Sequence, residues 1–309
     1  MSAKAAASAD RANTAHWALT PKRREAIAGY LFLAPYLVFF LVFLAGPVIS
    51  AFVTAFVEWE LLRGTYRFNG LENFQLMMED DLFWIAMRNS LYFAIMTTAG
   101  NSVVALCAAL ALKSIRPGHT LFRVILYAPV VLSISVIGIV FRRLLSTFGL
   151  VNAVLEAIGI DSVNWLGDPN IVIPSMSLMT IWWGFGFPML IFLAALYAVP
   201  ESLYEAARID GAGRWAILTR VTLPLIRPAL LFIIVTQFIA HIQVFGQPYI
   251  LTQEGGPGYS SYTIVLHIYR TAFRYFDMGY AGAMALSLGV VMFIFALLQF
   301  RLLGRYTEY

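Results

Sequence analysis

Six long apolar stretches separated by polar segments organise the chain. They cover residues 27–56, 86–112, 121–144, 171–197, 229–251 and 279–303. Each exceeds the roughly 20 apolar residues that a helix needs to cross a bilayer, and none shows the two-residue alternation of a barrel strand. Backbone groups in lipid must be satisfied within their own segment, which favours helices for runs of this length. The pattern predicts an all-α polytopic membrane protein with six transmembrane helices. On one side, segments 58–85, 146–170 and 252–278 are expected to be solvated connections. Within them, 148–160 (FGLVNAVLEAIGI) is amphipathic enough to lie along the membrane or beneath a partner, and TQEGGPGYSS is a Gly/Pro turn cluster.

Composition supports this reading. The 309 residues are 60% hydrophobic and 12% charged, where soluble domains carry about 25% charged residues. One domain is expected over 27–309, preceded by a disordered cytoplasmic tail over 1–26 that ends near Lys22, Arg23 and Arg24. The apolar run that follows is longer than a signal-peptide core of about 7–15 residues, so the first span reads as uncleaved.

Charge sets the orientation. With both termini in the cytoplasm, the cytoplasmic segments hold 14 of the 21 basic residues and six of the 17 acids, net +8. The opposite side then carries net −4, as the positive-inside rule asks. Arg142 and Arg143 run against that rule, at a helix end from which they can snorkel. The positive surplus therefore belongs to membrane topology, and nucleic acid is not an expected partner.

Candidate chemistry is sparse. No Gly-Lys pair builds a phosphate loop, and Gly184-Phe185-Gly186 follows no strand that would make it a dinucleotide fingerprint. The single Cys107 and four scattered histidines give no metal-ligand spacing. No nucleophile–base pair or carboxylate dyad stands out, so no catalytic residue is expected and the chain does not read as an enzyme. Every carboxylate falls at a span end or in a loop, where ion-driven carriers place acids within the membrane. Any uphill transport would draw its energy from another subunit.

One polar segment interrupts the apolar pattern on the cytoplasmic side. Residues 205–228 read EAARIDGAGRWAILTRVTLPLIRP. Pro200 and Glu201 suit a helix start, Gly211 and Gly213 a stop or a close approach, and Ala206 and Ala207 leave a shallow face. A second short helix is expected over 214–222, with Pro224 and Pro228 setting the angle of the following span. Residue chemistry alone leaves two readings open, an interfacial elbow with arginines at headgroups or a helix-turn-helix that docks on another protein.

The order Glu205-Ala206-Ala207, Gly211 four residues on, then Val221-Thr222-Leu223-Pro224, resembles the EAA loop of binding-protein-dependent ABC importer permeases. EAARIDGAG with LPLIRP, six spans and LTQEGGPG after the fifth are similar to the maltose-type, carbohydrate-uptake branch. The resemblance implies the type I ABC importer permease fold, with loop 200–228 as a cytoplasmic coupling helix-turn-helix. In that reading Glu205 makes a polar contact with an ATPase, Ala206 and Ala207 form its seat, Asp210 caps or braces the turn, Gly211 permits it and Pro224 follows. It also implies a second homologous permease, two ABC ATPase subunits that bind ATP and Mg, an extracytoplasmic solute-binding protein and the bacterial inner membrane. No cofactor is expected in this chain. The implied solute is a di- or oligosaccharide, with a polyol or glycerol-phosphate compound as the alternative. A self-sufficient carrier or channel and a membrane scaffold or receptor are the competing classes.

A solute path needs polar and aromatic groups inside spans. Thr180, Trp183, Gly184 and Phe187 recur at i, i+3, i+4 and i+7, and Gln237 and His241 at i, i+4, with Phe245 one turn further. Flat apolar faces beside hydrogen-bonding groups suit a sugar, and interhelical packing explains the same spacing. The resemblance places these six residues in the family's sugar-contact region.

Overall fold

Residues 22–54, with mean hydropathy 2.4 over an 18-residue window, form the continuous helical run that lipid favours. The computed structural model describes residues 21–115 and 117–303. The segment up to Val53 is a unit of its own. It comprises helix α1 (Pro21–Phe40), a π-helical turn at Leu41–Ala45 and helix α2 (Gly46–Thr54). Pro47 has no N–H to offer the Phe43 carbonyl, and the turn widens there so that the Gly46 N–H reaches Leu41 O. Pro21 suits a first helical position, so residues 21–26 of the expected tail are helical. Residues 1–20 of that tail lie outside the described residues.

The second unit starts at Thr54. Its first elements correct the expectation of a plain connector over 58–85. Strands β1 (Val57–Glu60) and β2 (Thr65–Phe68) pair antiparallel, with Val57 opposite Phe68 and an Arg67–Glu58 ion pair of 2.9 Å across the ladder. Helix α3 (Glu72–Glu79) follows, and α4 (Asp81–Ser114) begins five residues before the expected span. Asp80 caps α4 by accepting the Leu82 N–H at 2.8 Å. At 34 residues α4 is about 51 Å long. Its buried side is rich in small and polar residues, among them Ala94, Thr98, Asn101, Ala105 and Ala109, which admit close helix neighbours.

Two of the expected straight spans are bent, and the fifth is broken. The third is split into α5 (His119–Tyr127), a 3-10 turn over Ala128–Val131 and α6 (Ile134–Leu144), turning by 93°. Pro129 removes a donor there, and the Ser133 hydroxyl accepts the Val136 N–H at 3.4 Å to start α6 afresh. After the short amphipathic helix α7 (Leu150–Ala157), the fourth span is α8 (Val172–Gly184) and α9 (Gly186–Ala198), bent by 52° at Phe185. Pro188 cannot donate to the Gly184 carbonyl, which ends α8 there.

The polar segment holds α10 (Glu201–Ile209), α11 (Arg214–Ile217), a π-helical turn over Leu218–Thr222 and α12 (Leu223–Leu225). The chain then turns by 71° into α13 (Arg227–Ile242), where Pro228 occupies the first helical turn. The expected fifth span to residue 251 is shorter than predicted. It stops at Ile242 and breaks over 243–245 before α14 (Gly246–Leu251). A side chain at Gly246 would meet Ile134 Cγ1 at 3.0 Å, so α14 packs on α6 through a glycine. Helices α15 (Ile264–Phe273) and α16 (Met278–Leu303) are the last of the described elements. Among the described residues three helices are long and apolar enough to cross a membrane, and up to six spans result by length and composition if each bent pair is one.

Apolar clusters follow α4 along its length. Phe83, Tyr262 and Met284 lie in one, Phe93, Met176 and Met179 in a second, and Leu112, Phe192, Leu196 and Tyr204 in the third. Gly279 lets β1 approach α16, because a Cβ there would lie 2.2 Å from Val57 O. Segment 146–165 folds around buried Asn152, whose carboxamide donates to Thr147 O and Val163 O and accepts from Val163 N and Trp165 Nε1. Phe148, Leu150, Val154 and Ile158 are left exposed on α7.

Candidate functional site

Helix α10 is closed by backbone geometry that its sequence dictates. Gly211 adopts φ +77°, its N–H reaches Arg208 O at 3.1 Å, and the Ala212 N–H reaches Ala207 O at 2.9 Å. This pair of bonds is the Schellman closure, which needs a left-handed residue after the cap. A Cβ at Gly211 would meet nothing within 4 Å, so glycine is there for its backbone. Asp210 occupies the C-cap through its backbone N–H, and its carboxylate has no hydrogen-bond partner among the described residues. Glu201 in the first turn and Arg208 in the last suit the helix dipole and lie 3.7 Å apart.

The inner side of α10 carries buried Tyr204. Lys113, near the end of α4, sits 4.3 Å from the centroid of that ring and donates to Leu196 O at 3.0 Å. One side chain thus ties α4, α9 and α10. On the outer side Glu205, Ala206, Asp210 and Gly211 are exposed, Ala207 is half-buried, and Pro224 is exposed beyond the second helix. Ile209 is 85% and Trp215 75% exposed, flanking the Gly-x-Gly turn. Sequence reasoning passed over these two, although bulky apolar residues beside glycines in a polar loop were a legible signal. The π turn before Pro224 has a local cause: proline leaves the Arg220 carbonyl without its usual donor, and the backbone widens.

The six residues expected along a solute path are not gathered at one site, and three of them are engaged in separate side-chain hydrogen bonds. Buried Thr180 donates to Met176 O at 2.8 Å and accepts from Gln247 Nε2 at 3.3 Å. Trp183 Nε1 donates to Leu132 O at 3.1 Å, at the break of the third span. Gly184 leaves room for Asn101, whose Nδ2 would lie 3.1 Å from a Cβ there. Phe187 is 48% exposed and Gln237 half-buried. His241 is buried, with Nδ1 3.0 Å from Thr98 Oγ1 and its ring edge-on to Phe93. Phe245 lies in the break after α13 and stacks on Tyr249. Polar groups unseen in the sequence reading appear beside them: Gln247 and Thr98 as partners, and Asn101, fully buried with neither carboxamide atom bonded.

At the far end of α4, Asp80 Oδ2 accepts from Tyr280 OH at 2.5 Å and lies 3.1 Å from His267 Nε2. An ionised Asp80 only accepts, so Nε2 carries the proton and Nδ1 receives the Tyr262 hydroxyl at 3.2 Å. Burial opposes the charge on Asp80, yet the bonds from Tyr280, His267 and the Leu82 N–H hold its pKa below the ordinary 3.8. Burial pulls His267 below 6.5 against the attraction of Asp80, with Arg270 adding to the effect. Burial also pushes Tyr262 up to about 12. Among the described residues no three His, Cys, Asp or Glu side chains are grouped to hold a metal.

Residues 101–307 match the family described as "Binding-protein-dependent transport system inner membrane component". The arabinooligosaccharides transport system permease protein AraP of Bacillus subtilis is 32% identical over 90% of this chain and 89% of its own. The lactose transport system permease protein LacF of Rhizobium radiobacter is 31% identical, over 90% and 95%. Among solved structures, a chain of a bacterial alginate ABC transporter, in complex with an alginate pentasaccharide-bound periplasmic protein, superposes with TM-score 0.78. It is 27% identical, covering 93% of this chain and 96% of that one.

Proposed function

The chain belongs to the family of binding-protein-dependent transport system inner membrane components, and on that premise we propose that it is one permease subunit of an ATP-driven importer for a di- or oligosaccharide. Its family is one of transport permeases, not enzymes. It works beside a second homologous permease in the bacterial inner membrane, both termini in the cytoplasm. Two ATPase subunits bind the ATP and Mg, and an extracytoplasmic solute-binding protein delivers the sugar. The relatives named for arabinooligosaccharides, lactose and alginate support the solute class.

The observation that carries the reading is the outer face of loop 200–228. A two-turn helix closed by Gly211 presents Glu205, Ala206 and Ala207, with exposed Ile209 and Trp215 flanking the turn that follows. Small residues let a partner backbone approach, and flanking apolar knobs fill pockets on it. Movement of a docked ATPase would be passed from α10 through Tyr204 to Lys113, and so to α4 and α9. Thr180, Trp183, Gly184, Phe187, Gln237 and His241 border the sugar's passage once the bent spans rearrange. The present bonds of Thr180 with Gln247, Trp183 with Leu132 and His241 with Thr98 are those a second arrangement would exchange.

The test is uptake into proteoliposomes. The chain with its permease partner, ATPases and loaded solute-binding protein is expected to concentrate labelled oligosaccharide only with ATP. Equal uptake by this chain alone would replace the importer with a self-sufficient carrier.

A further inference from the structure

Of the basic residues outside the proposed cytoplasmic side, most are matched. Arg63 pairs with Glu60, Arg67 with Glu58 and Arg274 with Glu254, while Arg270 lies over the Tyr262 ring. Arg88 has no carboxylate within ion-pair distance among the described residues. It stands on α4 about 38 Å along the axis from Lys113, at the end away from loop 200–228. Arg88 and Tyr92, one turn apart on α4, form one wall of a cavity of about 490 Å³, with Asn170 before α8 and Tyr259 and Ser260 of the 252–260 loop opposite.

That far wall is held in place. Asn89 donates to Tyr259 O at 2.9 Å and to Tyr262 O at 3.0 Å. Gln253, Glu254 and Tyr259 all have positive φ, of 51°, 72° and 61°, a conformation that persists in non-glycine residues only where the surroundings impose it. The Tyr259 ring is half-exposed and set edge-on to Tyr262 at 5.3 Å. Ser260 Oγ is buried with no hydrogen-bond partner. The cavity thus offers two aromatic rings, an unpaired guanidinium and a carboxamide.

We propose that this cavity binds a pyranose unit of an oligosaccharide at the mouth of the chain opposite the coupling loop. The proposal rests on the permease reading above. The volume falls within the 300–1,000 Å³ of small-molecule sites. Sugar C–H faces lie on Tyr92 or Tyr259, Asn170 bonds hydroxyls, and Arg88 directs two N–H groups at a pair of oxygens. The pair belongs to a uronate carboxylate or to vicinal hydroxyls. An inserted acidic protein side chain would match Arg88 but lay no C–H face on the two tyrosine rings, which favours the sugar.

The full chain in lipid nanodiscs is to be titrated with maltotriose and with trigalacturonate, read by saturation-transfer difference NMR. At least one probe is expected to bind, with the signal falling tenfold or more in Arg88→Ala and in Tyr259→Ala. Binding of trigalacturonate alone identifies the carboxylate as the oxygen pair, and comparable binding of both identifies the hydroxyls. Thermal unfolding of each variant checks its fold, and Tyr92→Leu supplies a third variant should either be damaged. Absence of signal with both probes, or unchanged signal in the folded variants, overturns the subsite. Retained ATP-driven uptake in that event leaves the importer reading standing, whereas loss of ATP dependence strikes the importer itself.

Discussion

Lys113 and Tyr204 lie on different helices 91 positions apart, and the ammonium sits 4.3 Å from the ring centroid. The same ammonium bonds the Leu196 carbonyl, so the end of α4 is fastened to the helix proposed to meet the ATPase. Replacing Lys113 by Met keeps the apolar stem and removes the charge. Lys113→Met is expected to leave insertion and assembly intact and to lower sugar transported per ATP hydrolysed by two- to tenfold. Paired uptake and phosphate-release assays measure the ratio, and an unchanged ratio removes Lys113 from the coupling path.

Glu205→Lys tests the outer face of the same helix. It reverses a charge that lies exposed with no ion-pair partner among the described residues, so the fold should be indifferent. Copurification of the ATPase with the permease is expected to drop, and uptake with it. Normal uptake by the assembled variant would return loop 200–228 to an interfacial elbow.

Two glycines in the loop offer an internal control. Gly211 has φ +77°, whereas Gly213 has φ −70° and open space around it. Alanine in the left-handed region costs about 1–2 kcal/mol, so Gly211→Ala should weaken ATPase copurification while Gly213→Ala does not. Equal effects would locate the importance of the Gly-x-Gly pair in something other than the turn.

The helical character of the long apolar runs and the place of the polar loop were legible because bilayer length and its interruption are local signals. The Schellman closure was nearly so, since a glycine four residues after Ala207 has few other uses. The bends were not: Ser133 reads as one more small residue in an apolar run until its hydroxyl is seen capping α6. The hairpin was hidden in two four-residue strands inside a segment with the composition of a connector. Contacts such as Thr98 with His241, 143 positions apart, or Asp80 with His267, 187 apart, depend on how helices assemble and leave no periodic trace.

The Asp80–His267 contact gives the fold a pH dependence whose sign is fixed. Both folded pKa values lie below the ordinary 3.8 and 6.5, so both groups stabilise the fold above those values and lose that contribution as pH falls. His267 acts first, below about 6.5, by being charged where burial disfavours it, and Asp80 follows below 3.8. Thermal unfolding in nanodiscs is expected to show a declining Tm from pH 7 to 4.5, with His267→Gln flattening that slope. A Tm that rises on acidification would contradict the network as described.

Asn101 is fully buried against the bend between α8 and α9, with neither polar atom of its carboxamide bonded. Leaving such a group unsatisfied costs about 1–3 kcal/mol, so the state described here holds a penalty that an apolar residue of similar size avoids. Asn101→Leu is therefore expected to raise Tm by about 2–4 °C per kcal/mol recovered. A residue this costly persists usefully if a second arrangement of the bend gives it partners, such as carbonyls freed at Phe185. Transport should then fall in the same variant that gains stability, because its penalty no longer favours leaving this state. A variant with lower Tm and unchanged uptake would show Asn101 to be a packing residue alone.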